Sequence, residues 1–281
     1  MSVVPAPTGR PVAFQGARVV DPASGRDGPA TLLVRGGEIA AVLAPGDPVP
    51  SEAERRDCRG LAILPGLVDA RVFTGQPGGE HRESLETLGR AALAGGVTTL
   101  LVMPDALPVI DEASLVSFVR QTADATGTAR MRPLGALTKG LGGLELAEMG
   151  LMLEAGAAAL GQGREPVADA GVLRRALLYA RDFGAVVDLP PRERALSGGV
   201  MNASAWSSWL GLPGVPPEAE TVAVLRDCEL ARATGTPVNL ACLSSRLSLP
   251  HLARAKSCTV AGSLRSRGHC PHSPTTGRTA V

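Results

Sequence analysis

Apolar residues along this chain follow two rhythms, and the switch between them marks its organisation. Over residues 11–64, short apolar runs are broken by turn residues. The run 11–20 is closed by Asp21-Pro22 and Gly25, and two runs within 30–43 flank Gly36-Gly37. Paired glycines tolerate the positive φ angles of a tight hairpin, so this stretch predicts a small β-domain over 1–64. From there, apolar runs alternate with stretches of helical spacing. The runs cover 64–72, 97–104, 130–137, 157–160, 184–189 and 237–243. The helices predicted after them cover 80–94, 112–125, 143–155, 170–183, 217–234 and 249–256. A long insert rich in Gly, Ser and Pro separates residue 189 from 217.

Near-continuous apolar strands separated by helices point to a parallel sheet covered on both faces. No phosphate-binding glycine loop opens any of the helices, which favours a TIM-type (β/α) barrel over an open doubly wound sheet. A closed barrel needs eight units. The pattern supplies about six over 65–256, so the expected fold is an α/β protein with a truncated barrel and an N-terminal β-domain. Residues 257–281 contain no acidic residue and no apolar periodicity. They are expected to form a disordered tail.

Composition narrows the function classes. With 281 residues, 44% hydrophobic and 20% charged, the chain is ordinary for a globular protein. Its 28 basic and 27 acidic residues leave a net charge of +1, with no electrostatic footprint for nucleic acid. No apolar run approaches the roughly 18 residues of a membrane span. The N-terminus lacks the basic-then-apolar order of a secretory signal. Cys58, Cys228, Cys242, Cys258 and Cys270 are an odd, scattered set, as expected of reduced thiols in a cytoplasm.

Several motifs recur in a fixed order. They are Leu64-Pro-Gly-Leu-Val-Asp69, Gln76-Pro-Gly-Gly-Glu80 with Glu83-Ser-Leu-Glu-Thr87, and Ala94-Gly-Gly-Val-Thr-Thr99. Met103-Pro104 with Pro108-Val-Ile-Asp111, the stretch 210–220 and Leu243-Ser244 follow. As a set, residues 11–256 resemble the dihydroorotase branch of the amidohydrolase superfamily. The resemblance implies an amidohydrolase-type barrel. In active relatives it also implies a zinc ion that serves hydrolysis of dihydroorotate to N-carbamoyl-aspartate.

The same resemblance shows where this chain departs. The zinc-binding His-x-His of the first strand aligns with Arg71 and Phe73. A guanidinium offers no lone pair to a metal, and a phenyl ring has none. The arginine that grips the substrate aligns with Gly75, and an asparagine that contacts it aligns with Asp105. The metal-ligating Asp of the fourth strand falls near Gln162, the fifth-strand histidine at Asp188 and the sixth-strand histidine at Cys242. Asn239 stands where a second histidine would. No catalytic, substrate-binding or metal residue is therefore assigned, and no cofactor is expected.

Asp69, Asp188 and Cys242 remain as formal donors near one barrel mouth. Arg71 places its charge where an ion would sit, so an Arg71–Asp188 ion pair is the expected occupant. His81 and His251 are read as solvated or capping residues at the starts of the first and last barrel helices. Cys258, His269, Cys270 and His272 match no zinc-finger spacing. Trp206 and Trp209, in the insert, fit either a cover over the mouth or a patch that faces a partner.

Loss at so many positions with the frame kept is similar to the inactive dihydroorotase-like proteins that some bacteria pair with aspartate carbamoyltransferase. The resemblance implies a cytoplasmic pseudoenzyme of pyrimidine biosynthesis. It would form a hetero-oligomer with the aspartate carbamoyltransferase catalytic chain. Two other readings stand beside it: an active metal-dependent dihydroorotase with an unusual site, and a non-functional frameshifted fragment.

Overall fold

The computed structural model describes residues 9–255 and 260–264. The chain divides into two units, Met1–Leu67 and Val68–Val281. In the first, β1 (Val12–Asp21), β2 (Arg26–Arg35) and β3 (Glu38–Leu43) form an antiparallel meander. Gly36 and Gly37 close the β2–β3 turn at φ 58 and 82, which is why the hairpin is legible in the sequence. The strands β4 (Glu54–Asp57) and β5 (Ala62–Ile63) pair parallel to β1. Ala13, Leu33 and Ala53 make this unit's small core.

The second unit is a curled half-barrel. Its strands are β6 (Leu67–Val72), β7 (Val97–Val102), β8 (Arg130–Ala136), β9 (Ala159–Gly161) and β10 (Val187–Leu189). After a short pair in the insert, β11 (Met201–Asn202) and β12 (Gly214–Val215), come β13 (Val238–Leu243) and β14 (Val260–Leu264). The sheet order is β14-β13-β10-β9-β8-β7-β6. All six expected barrel strands are present. The expectation of a structureless tail from 257 is corrected at Val260–Leu264, whose backbone runs parallel to β13 in a register starting at Val238↔Val260. The free backbone edge of β13 supplies hydrogen-bond partners that a five-residue strand can use without any apolar periodicity of its own. Cys258, His269, Cys270 and His272, with the rest of the tail, lie outside the described residues.

The connecting helices are α1 (Leu85–Ala94), α2 (Ala113–Ala125), α3 (Met149–Glu154), α4 (Ala170–Asp182), α5 (Ala205–Trp209), α6 (Glu218–Thr234) and α7 (Leu249–Ala255). Two expectations shift. The first helix starts at 85 rather than 80 because Ser84 caps it in a reciprocal box with Thr87. His81 is therefore an exposed residue of the preceding loop, not a helical one. The third helix covers only Met149–Glu154, because 138–146 closes on itself through a Thr138–Leu146 bridge. Among the described residues, no helix is long and apolar enough to cross a membrane.

Alternation along the strands separates core from mouth. On α4, Val172, Leu173, Ala176, Leu177 and Ala180 form one buried stripe in the same cluster as Val187 and Leu189 of β10. Each fully buried leucine contributes about 1.5–3 kcal/mol. Asp188, between Val187 and Leu189, is directed to the opposite face and into the half-barrel.

One buried acid of this unit gives a pH signature. Asp227 on α6 is 1% exposed, and burial pushes its carboxyl up to about 6 against the pull of Arg226 beside it. The folded state then holds a proton that the unfolded chain releases near pH 4. Stability from this group is greatest in acid and is lost as pH rises towards 6. A shift of about two units corresponds to on the order of 3 kcal/mol. Asp227→Asn is expected to flatten the urea-unfolding midpoint between pH 4 and 7 relative to the parent chain; equal slopes in both proteins would contradict this.

Candidate functional site

The C-terminal ends of the strands open into a cleft of about 1840 Å³, bordered by residues from β6, β13 and the insert. Side chains at its floor converge because the sheet curls. Arg71 on β6 and Asp188 on β10 belong to strands with three others between them, yet they form a direct ion pair. Both side chains are 7% exposed. The intervening strand β9 ends in Gly161, where an added Cβ would lie 3.2 Å from the Asp188 carbonyl oxygen. The missing side chain there leaves room for Asp188 itself, whose Cβ and Oδ2 would lie 3.5 and 3.9 Å away.

Arg71 spends its other terminal nitrogen on the Gly163 carbonyl. Its backbone N–H donates to Asp69 Oδ1 at 3.0 Å. The second oxygen of Asp188 accepts from Asn239 Nδ2 at 2.6 Å, the residue directly across the β10–β13 ladder. Both carboxylate oxygens are thus committed. Burial pushes the Asp188 carboxyl above the usual carboxylate range, and the Arg71 charge and the Asn239 hydrogen bond oppose that rise.

A second cluster joins Phe73 and Asp105. Arg164, just after β9, donates Nε to Asp105 Oδ2 at 2.5 Å and lies over the Phe73 ring at 4.9 Å from its centroid. A guanidinium over an aromatic face is attracted by the ring's quadrupole. Sequence reasoning missed Arg164; its signal was the Gly161-Gln-Gly-Arg164 run, in which two glycines bring backbone close to the mouth. Gln162, wholly buried, exchanges hydrogen bonds with Thr138 Oγ1 and donates to the Leu141 carbonyl at 3.0 Å. It packs the far wall and does not reach the Arg71–Asp188 pair by any of these bonds.

The backbone around Gly75 leaves no room for a side chain. A Cβ there would stand 2.4 Å from the Gly79 carbonyl oxygen and 2.6 Å from that of Glu83. The Gly79 N–H donates to the Gly75 carbonyl at 2.5 Å, so the backbone has closed around this position. Cys242, on β13, is half-buried at φ 61, a conformation uncommon for a side-chain-bearing residue.

The loop after β13 is fixed by one carboxylate. Glu220 of α6 accepts from the Ser244 and Ser245 amides at 2.7 and 2.9 Å, and from the Ser244 and Ser248 hydroxyls at 2.8 and 2.6 Å. Glu220→Gln turns one acceptor into a donor that faces donors. It is expected to cost about 1–3 kcal/mol and to speed amide hydrogen exchange at 244 and 245; unchanged exchange there would contradict the role.

These residues do not fit a zinc ion. A fixed cation sits in the mouth, and Asp188 already serves two donors. Phe73 and Gln162 bring no anionic or imidazole ligand. Among the described residues, no group of three or more His, Cys, Asp or Glu side chains is placed to hold a metal ion. The carboxylates bordering the cleft also have partners: Asp105 with Arg164 through Oδ2 only, its buried Oδ1 accepting no hydrogen bond among the described residues, Glu165 with Arg192, and Glu220 with the serine loop.

Residues 60–248 match the family described as dihydro-orotase-like. The chain is 41% identical over 244 residues to a dihydroorotase of Anaeromyxobacter dehalogenans (strain 2CP-C), covering 86% of this chain and 56% of that protein. It is 40% identical over 245 residues to a dihydroorotase of Geotalea daltonii, covering 87% and 57%. The chain thus spans a little over half the length of these relatives. Among solved structures, the L-hydantoinase of Arthrobacter aurescens superposes with a TM-score of 0.73 at 20% identity, over 89% of this chain and 57% of that one. That likeness concerns the barrel fold alone.

Proposed function

This chain belongs to the dihydroorotase-like family, and from that premise we propose that it is a non-catalytic member, a cytoplasmic scaffold in pyrimidine biosynthesis that partners the aspartate carbamoyltransferase catalytic chain. One observation carries the non-catalytic half: Arg71 and Asp188, at two positions where active relatives place metal-binding histidines, are paired with each other. Hydrolysis of a cyclic amide by a metal-bound hydroxide needs an open metal with firm protein ligands. The residues here instead neutralise one another. Its zinc-free state belongs to the same proposal.

The scaffold half rests on the resemblance to inactive partners of the transcarbamoylase and on a frame kept while its chemistry is replaced. Mixing the purified chain with the aspartate carbamoyltransferase catalytic chain tests it. A stable complex with faster carbamoyl transfer is expected. Separate sedimentation of the two chains at micromolar concentration would contradict it.

A further inference from the structure

The insert between β10 and α6 carries a surface that the barrel mouth does not use. Residues 195–217 include no Asp, Glu, Lys, Arg or His, in a chain that is otherwise 20% charged. Both tryptophans of the protein lie within it. Trp206 and Trp209 are 52% and 75% exposed, and Leu210 and Leu212 beside them are about half exposed. The two indoles meet edge to face with centroids 5.7 Å apart.

This face is held firmly rather than left as a loose loop. Ser204 and Ser207 cap α5 reciprocally, and Ser207 is buried. The Leu212 amide donates to the Ser207 carbonyl at 2.9 Å, and the Ala203 amide to that of Val215 at 2.8 Å. Gly199 and Gly214 let the backbones of the β11–β12 pair approach; a Cβ on either would fall within 2.6 Å of main-chain atoms. A surface fixed in advance loses little entropy when it is covered.

We propose that this tryptophan face is where two copies of the chain associate. Three features select a second copy. First, a two-fold contact sets a patch against itself, which suits a patch with no charge to repel its own image. Second, membrane-surface helices depend on Lys and Arg along their polar side, and this stretch has none. Third, the four exposed side chains present on the order of 500 Å² of apolar area, taking about 250 Å² for a tryptophan. A stable interface buries about 800 Å² per partner, of which about 60% is apolar. The patch has the size of the apolar part of one such surface. This association depends on the insert and not on the chemistry of the mouth.

Sedimentation velocity of the full chain from about 1 to 100 µM tests the proposal. A concentration-dependent dimer is expected. Trp209→Asp sets two carboxylates near the symmetry axis and is expected to raise the dimer dissociation constant roughly 30-fold or more. Because Trp209 is largely exposed, Trp209→Ala serves as a second variant that spares the fold and should weaken the dimer in the same direction. In the unmodified chain, tryptophan emission should shift to longer wavelength on dilution, since no indole lies elsewhere. A monomer across the whole range would overturn the proposal. So would a dimer that survives both substitutions, or a dimer whose emission ignores dilution.

Discussion

Replacing Arg71 by methionine is expected to destabilise the chain by about 3–5 kcal/mol at neutral pH, the usual cost of leaving a buried partner charge uncompensated. Asp188 would lose its cationic partner while staying almost sealed from water, and the Gly163 carbonyl would lose a donor. Asn239 alone would remain to satisfy the carboxylate. The pH dependence follows from the direction of the Asp188 shift. Its carboxyl is already raised by burial, and removing the guanidinium removes the main opposing influence. The folded variant then takes up a proton that the unfolded chain does not hold. Its stability is retained in acid and lost as pH rises through the raised value. The deficit against the parent should be smallest near pH 4 and largest above neutrality. The double substitution Arg71→Met with Asp188→Leu should recover most of the loss, because replacing both members of a buried pair by apolar groups is often neutral or better. Urea unfolding of the three variants across pH reads this out. A single Arg71→Met variant as stable as the parent at pH 7 would show that the pair does not hold the mouth.

Gly75→Arg, which supplies the side chain that the family resemblance implies there, is expected to cost about 3–4 kcal/mol, in the range set by forced overpacking and backbone strain. The clash is at Cβ, with two carbonyl oxygens at 2.4 and 2.6 Å, both belonging to backbone that cannot rotate away. Gly75→Ala should therefore reproduce most of the loss, since the arginine's length is not the cause. If alanine is tolerated and arginine is not, the loop around 75 is looser than described.

Much of the frame was legible in the sequence because it is written in periodicity. The hairpin at Gly36-Gly37 and the stripe Val172-Leu173-Ala176-Leu177 both announce their elements through spacing alone. The ion pair at the mouth was legible too, since the family resemblance sets Arg71 and Asp188 at one barrel mouth, where unlike charges attract. What escaped was set by tertiary contact. Arg164 looks like a loop arginine until the curl of the sheet brings it over Phe73 and against Asp105. Glu220 reads as a first-turn acid of a helix, and only the return of β13 beside it shows four donors meeting its carboxylate. The β14 strand has no periodic signal because the edge of β13 specifies its pairing. The exposure of the tryptophans depended on how the insert folds onto itself, through caps and glycine contacts that hydropathy does not weigh.

We propose that the mouth of this half-barrel carries a buried ion pair in place of metal chemistry. The most direct test is ring opening of dihydroorotate by the purified chain with zinc supplied in excess. The account predicts no turnover above the protein-free blank. Zinc-dependent turnover that disappears on chelation would contradict it.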